Sequence, residues 1–125
     1  MKTDFLGLRT VGYKVNDLDK AKAWYSKLLN IEPYFDEPFY VGFNVAGYEL
    51  GLVPIEDTST VLEVGSTIYW GVEDVHGVYK KLLDMEAITY EEPTDVGGDI
   101  VVAAVKDPWG NVFGIIYNPH FKLEE

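Results

Sequence analysis

Apolar and polar residues alternate one by one in two stretches of this chain, and in each the alternation gives way to a helical period. Val11, Tyr13 and Val15 are separated by Gly12 and Lys14, and Ile68, Trp70 and Val72 fall on the same pattern when the chain is offset by 57 positions. A period of two predicts a strand with one buried face. The period then changes: Leu18, Ala21, Tyr25, Leu28 and Leu29, with Trp24 beside them, recur at intervals of three and four, as do Val75, Val78, Tyr79, Leu82 and Leu83. Each set predicts one face of a helix. Asp17 and Asp74 stand ahead of these stripes, where a short acceptor caps free backbone N–H groups and suits the helix dipole.

Both helices should be followed by strands. In the first copy, Phe39–Val45, a turn at Ala46-Gly47, and Tyr48–Val53 ending at Pro54 read as a hairpin. In the second, Ile100–Val105, the turn Asp107-Pro108-Trp109-Gly110 and Asn111–Tyr117 do the same; Asp, Pro and Gly occupy the places a type I turn prefers. Further short strands are expected near Ile31–Tyr34 and Ile88–Glu92. The reading is an α+β fold of two tandem βαβββ modules, at about 5–54 and 63–119, in one domain spanning 1–125. The polar, aperiodic segment at about 55–62 is the expected linker. One helix leaves one face of each sheet bare, and two such sheets can curl into an eight-stranded mixed sheet around a central cup, a usual place for a small ligand.

Composition narrows the function. At 125 residues, with 47% hydrophobic and 25% charged, the chain can bury about two-thirds of its unfolded surface without staples. Cysteine is absent, which excludes disulfides, thiolate metal sites and cysteine nucleophiles. No apolar run is of membrane-spanning or signal-peptide length, so a cytoplasmic protein is expected. The formal charge of −11 repels phosphate backbones and anionic headgroups, which argues against nucleic-acid or membrane partners. Six acids and no base lie between Asp84 and Asp99, either attracting a cationic ligand or forming a solvated loop.

Taken together, Val15–Ala21 with Trp24-Tyr25 and Leu28-Leu29, the hairpin Tyr48-Glu49-Leu50, the second opening Ile68–Val75 and the closing Lys106–Asn111 resemble the vicinal oxygen chelate superfamily. That superfamily includes glyoxalase I, extradiol dioxygenases and the bleomycin and fosfomycin resistance proteins. The resemblance covers essentially the whole chain. It implies four metal-ligand positions on the cup, which carry over to Thr10, Glu49, Thr67 and Gly114. Only Glu49 is a matching type, since a neutral threonine hydroxyl is a poor ligand and glycine has no side chain. His76, in the first turn of the second helix, and His120, beyond the last strand, do not replace the missing ligands. No metal or other cofactor is therefore expected.

If Thr10 and Thr67 face the cup, alternation places Gly12, Lys14, Tyr69 and Gly71 beside them, with Gly47, Glu49 and Gly51, and Val112, Gly114 and Ile116, on the closing strands. The five inward glycines leave room for a ligand or mark strong curvature. Glu49 is the candidate catalytic residue, a general base with a raised pKa, or else an acceptor, a partner for a cation, or half of a salt bridge to Lys14. Tyr69 could stack or hydrogen-bond, and Trp109 could mark a rim or cover its own hairpin. The facing of Phe39, Tyr40 and Phe43 is open. Thr10, Lys14, Glu49, Thr67, Tyr69 and Trp109 form the candidate ligand-binding set. A metal-free protein binding an organic, planar or cationic molecule is the favoured function. The alternatives are a glyoxalase-like isomerase or lyase using Glu49, and an interaction module; the resemblance also implies a homodimer.

Overall fold

The structure, a computed structural model, describes residues 3–4, 8–55 and 67–121. It divides into two compact units, Met1–Thr60 and Val61–Glu125. The first contains β1 (Thr10–Val15), α1 (Leu18–Leu29), β2 (Phe35–Glu37), β3 (Tyr40–Val45) and β4 (Tyr48–Pro54). The second contains β5 (Tyr69–Gly71), α2 (Val75–Asp84), β6 (Ile88–Gly97), β7 (Ile100–Lys106) and β8 (Val112–Tyr117). This is the expected α+β fold with two βαβββ modules. The strands form two four-stranded mixed sheets, ordered β1-β4-β3-β2 and β5-β8-β7-β6. Beyond Ile55, the expected linker lies outside the described residues.

Local chemistry sets the helix bounds. Asp17 caps α1 by accepting from the Lys20 N–H at 3.1 Å, and Asp74 caps α2 by accepting from the Gly77 N–H at 3.0 Å. Asn30 ends α1 in the left-handed conformation, φ 57°. Among the described residues no helix is long and apolar enough to cross a membrane.

In the first unit the pleat sorts the side chains cleanly. Val11, Tyr13 and Val15 of β1 are buried, as are Val41 and Phe43 of β3 and Leu50 and Leu52 of β4. The buried face of α1, formed by Ala21, Tyr25 and Leu28, packs on β3 and β4. Tyr13 stacks on Tyr25 with ring centroids 6.0 Å apart, joining β1 to the helix. The alternate residues, Thr10, Gly12 and Lys14 of β1, are exposed on the opposite face.

In the second unit α2 packs on β6, β7 and β8. Ala103, Val105, Phe113, Ile115, Val75 and Leu82 are buried there. Trp70 stacks on Phe113 at 6.4 Å.

Two elements differ from expectation. The short strand placed near Ile31–Tyr34 lies instead at Phe35–Glu37, because Asn30 turns the chain away from α1 and pairing with β3 begins only at Tyr34, whose N–H donates to the Gly42 carbonyl at 3.0 Å. The acidic segment, read as attracting a cation or as a solvated loop following a short strand near Ile88–Glu92, is strand as far as Gly97. β6 runs ten residues, includes Pro93 and pairs with β7 through three register shifts. The β6–β7 turn passes through Gly97, Gly98 and Asp99, all at positive φ. β6 is the outermost strand of its sheet, and its acids are exposed or half-buried.

Candidate functional site

Three glycines lie in one row across the open face of the first sheet: Gly12 opposite Gly51, and Gly51 opposite Gly42. One pleat along, Thr10, Glu49 and Asn44 form the next row. On the other side of the glycines stands Tyr40, two residues before Gly42. Tyr40 and Glu49 therefore approach from opposite sides and meet over the glycines. A Cβ at Gly51 would stand 2.6 Å from Cζ of Tyr40, and a Cβ at Gly42 would stand 2.8 Å from Oε2 of Glu49. Glycine at these positions lets the Tyr40 and Glu49 side chains lie across the strands; a larger residue would have to displace them. Gly47 has a different reason: with Ala46 it forms the β3–β4 turn at positive φ (52° and 95°), so it belongs to the turn and not to an inward strand face.

Glu49 accepts three hydroxyl hydrogen bonds. Tyr40 donates to Oε1 at 2.6 Å, Thr10 donates to Oε1 at 3.1 Å, and Tyr34 donates to Oε2. The bonds from Tyr34 and Tyr40, outweighing partial burial and helped by Thr10, hold the Glu49 carboxyl below its ordinary value. This corrects the expectation of a raised pKa: the donors favour the charged form more than desolvation opposes it. Glu49 is a fixed anion and a weakened base. Its bond raises the Tyr34 phenol, while burial first and the bond to Glu49 second raise Tyr40.

Of the other candidates, Thr10 is brought to Glu49, which is bonded by three hydroxyls. Lys14 shares the open face and stands opposite Val53, four residues along the ladder from the Thr10–Glu49 pair. Tyr34 and Tyr40 were not on the candidate list, yet a signal for Tyr40 existed. The two-residue turn at Ala46-Gly47 sets Val45 opposite Tyr48, hence Asn44 opposite Glu49, and period two then puts Tyr40 on the carboxylate's face. Tyr34, outside any strand, had no such signal.

The second unit is built differently. Tyr69, Gly114, Ala104 and Glu91 occupy one row across its four strands. The Tyr69 ring lies over Gly114, where a Cβ would stand 2.7 Å from Cδ1, and its hydroxyl donates to Oε1 of Glu91 at 3.1 Å. Burial, then this bond, raises the Tyr69 phenol. Tyr69, rather than Thr67, is thus the ladder partner of Gly114; Thr67 is half-buried ahead of β5.

Trp109 is half-buried on the β7–β8 turn. That turn is tied by Asp107, 2% exposed, which accepts from the N–H groups of Trp109 and Asn111 at 2.9 and 2.8 Å and from Nδ2 of Asn111 at 3.0 Å. His76 is exposed on α2. His120, read as an inert tail residue, has Nε2 2.7 Å from the Gly98 carbonyl and so joins the end of the chain to the β6–β7 turn.

In the first unit the ligand positions supply the Glu49 carboxylate, which already accepts three hydrogen bonds, and the Thr10 hydroxyl; in the second, Thr67 supplies a hydroxyl and Gly114 no side chain. Neither pair fits a tightly held divalent metal. Among the described residues, no three His, Asp or Glu side chains are grouped so as to hold one.

Comparison with known proteins agrees with the architecture. Residues 7–115 match the family model described as Glyoxalase/Bleomycin resistance protein/Dioxygenase superfamily. Comparison with curated proteins gives no significant match. Among solved structures, a glyoxalase-related enzyme from Fulvimarina pelagi is 15% identical, with a TM-score of 0.76 over 96% of this chain and 94% of that one. A genomically encoded fosfomycin resistance protein from Listeria monocytogenes is 17% identical, with a TM-score of 0.75 over 93% and 96%. A lactoylglutathione lyase from Agrobacterium tumefaciens is 18% identical, with a TM-score of 0.73 over 95% and 100%. At these identities the structures show a shared fold. With the family model spanning both modules, the chain belongs to the Glyoxalase/Bleomycin resistance protein/Dioxygenase superfamily.

Proposed function

We propose that this protein binds a small organic molecule without a metal, on the open face of its first sheet, and that Glu49 serves as a fixed negative charge rather than as a base. The observation carrying this reading is the trio of hydroxyl donors on Glu49. A general base works best when its pKa lies near the working pH, whereas these donors move Glu49 the other way. The exposed rings of Tyr34, Phe35 and Phe39 add apolar contact area near the charge. Thr10 and Lys14 belong to this proposed surface; Thr67, Tyr69 and Trp109 are proposed contacts of the second unit.

The three tryptophans provide the assay. Fluorescence titration against neutral, anionic and cationic planar organic molecules should give saturable binding to at least one class, weakened by Glu49→Gln. A flat response throughout overturns the reading. Turnover of a small oxygenated substrate by the purified protein, abolished in Glu49→Gln, would replace it with the lyase or isomerase alternative. The family resemblance also leads us to propose a homodimer, which sedimentation equilibrium tests.

A further inference from the structure

The carboxylate on the open face has charge to offer but little hydrogen-bonding capacity. An ionised carboxylate has about four lone-pair sites. On Glu49, Thr10 and Tyr40 take two on Oε1, and Tyr34 takes one on Oε2. A primary ammonium keeps its protons satisfied in water and would find on the carboxylate one acceptor for three donors, its other protons turning to the neutral hydroxyl oxygens of Thr10, Tyr34 and Tyr40. A cation without N–H groups loses nothing by that shortage.

Aromatic surface stands next to this charge. Tyr34 is 63% exposed, Phe35 37% and Phe39 66%. The rings of Tyr34, Phe39 and Tyr40 each contact Phe35, with centroids 6.0–6.5 Å apart and planes inclined by 56–65°. These rings remain partly exposed, so aromatic surface stays available to a cation. Tyr34 and Tyr40 donate hydrogen bonds to the carboxylate, which enriches their rings in electron density. The face thus combines exposed aromatic surface with an anion most of whose own acceptor sites are taken.

We infer that the ligand of this face carries a cation that donates no hydrogen bonds, a quaternary ammonium or an N-methylated heteroaromatic ring; this rests on the binding role proposed above. Such groups are weakly hydrated and are held by ring quadrupoles and net charge together.

Calorimetric titration with choline, with ethanolamine, which lacks the three methyl groups, and with dimethylbutanol, choline's neutral carbon isostere, tests the selection directly. Choline should bind in the millimolar range or tighter and exceed each competitor by about tenfold. Glu49→Gln should remove most of the preference for choline over the isostere, and Tyr34→Leu, at an exposed position, should weaken choline binding while leaving the melting temperature within a few degrees. Equal or tighter binding of ethanolamine overturns the inference, as does absence of choline binding. Isostere binding equal to choline also overturns it yet leaves the broader binding reading intact, whereas silence from every probe and from the planar panel overturns both.

Discussion

Replacing Gly51 by alanine perturbs the candidate site without touching any of its functional groups. The added Cβ would stand 2.6 Å from Cζ of Tyr40, inside any permissible contact, so the phenol must swing out and release Oε1 of Glu49. Gly12 is the control, since it lies opposite Gly51 in the same row and its added Cβ would meet Cγ2 of Val53 at an ordinary 3.8 Å. Alanine at Gly12 should stabilise by about 0.5 kcal/mol through the unfolded chain. At Gly51 the same gain is outweighed by crowding and a lost charge-assisted bond, for which the low end of the overpacking range, about 1 kcal/mol net loss, suits a half-buried ring. The two variants should therefore differ by about 1.5 kcal/mol, or about 5 °C in Tm for a chain of this size. Urea denaturation gives the first figure. Carbon-detected NMR titration of the Glu49 carboxyl gives the mechanism, since its pKa should rise in Gly51→Ala and stay put in Gly12→Ala. Equal stabilities, with an unmoved Glu49 titration in both, would refute the proposed packing of Tyr40 over the glycine row.

Other outcomes follow from the same contacts. Because the folded-state pKa of Glu49 lies below its unfolded value of 4.5, its contribution to stability is present above that value and is lost as pH falls through the folded pKa. The Tm difference between wild type and Glu49→Gln should accordingly hold from neutral pH down to the ordinary carboxylate range and close below it; a difference that closes above pH 5 contradicts the direction. In a tyrosine titration followed residue by residue by NMR, Tyr34, Tyr40 and Tyr69 should each ionise above the ordinary phenol value, and Glu49→Gln should bring Tyr34 down while leaving Tyr69 in place. Asp107→Ala removes the acceptor of three hydrogen bonds at a buried turn and should destabilise by about 3 kcal/mol in chemical denaturation. Asp17→Ala should lose about 1 kcal/mol by the same measure as the α1 cap is removed.

Features set by near neighbours in sequence were legible. Both helices, their aspartate caps, the Ala46-Gly47 hairpin and the Asp107–Gly110 turn depend on residues within a few positions of one another, where period and turn chemistry speak directly. The alternation in β1 also placed Thr10, Gly12 and Lys14 on one face as found. Features set by register between distant strands were not. Glu49 was singled out by type and position, but its pKa direction depends on Tyr34 and Tyr40, reached across β3 and the segment before β2. Lys14 was offered as its partner on facing alone, and facing does not name the three hydroxyls that bond the carboxylate. Period two placed Tyr69 beside Thr67, but β5 begins only at Tyr69, and its pairing with Gly114 follows from a ladder in which the second unit differs from the first. In the acidic stretch charge rightly suggested solvent, but the extension of the strand to Gly97 was missed because an outer strand can carry charge on both sides and still hydrogen-bond along one edge.

A ten-residue outer strand would normally be an adhesive template for another chain's backbone. In β6, Pro93 lacks an N–H, three register breaks interrupt the even row of donors and acceptors, and Glu92 and Asp95 are exposed carboxylates. The acid-rich segment thus works against sheet-to-sheet polymerisation at high concentration, a colloidal safeguard.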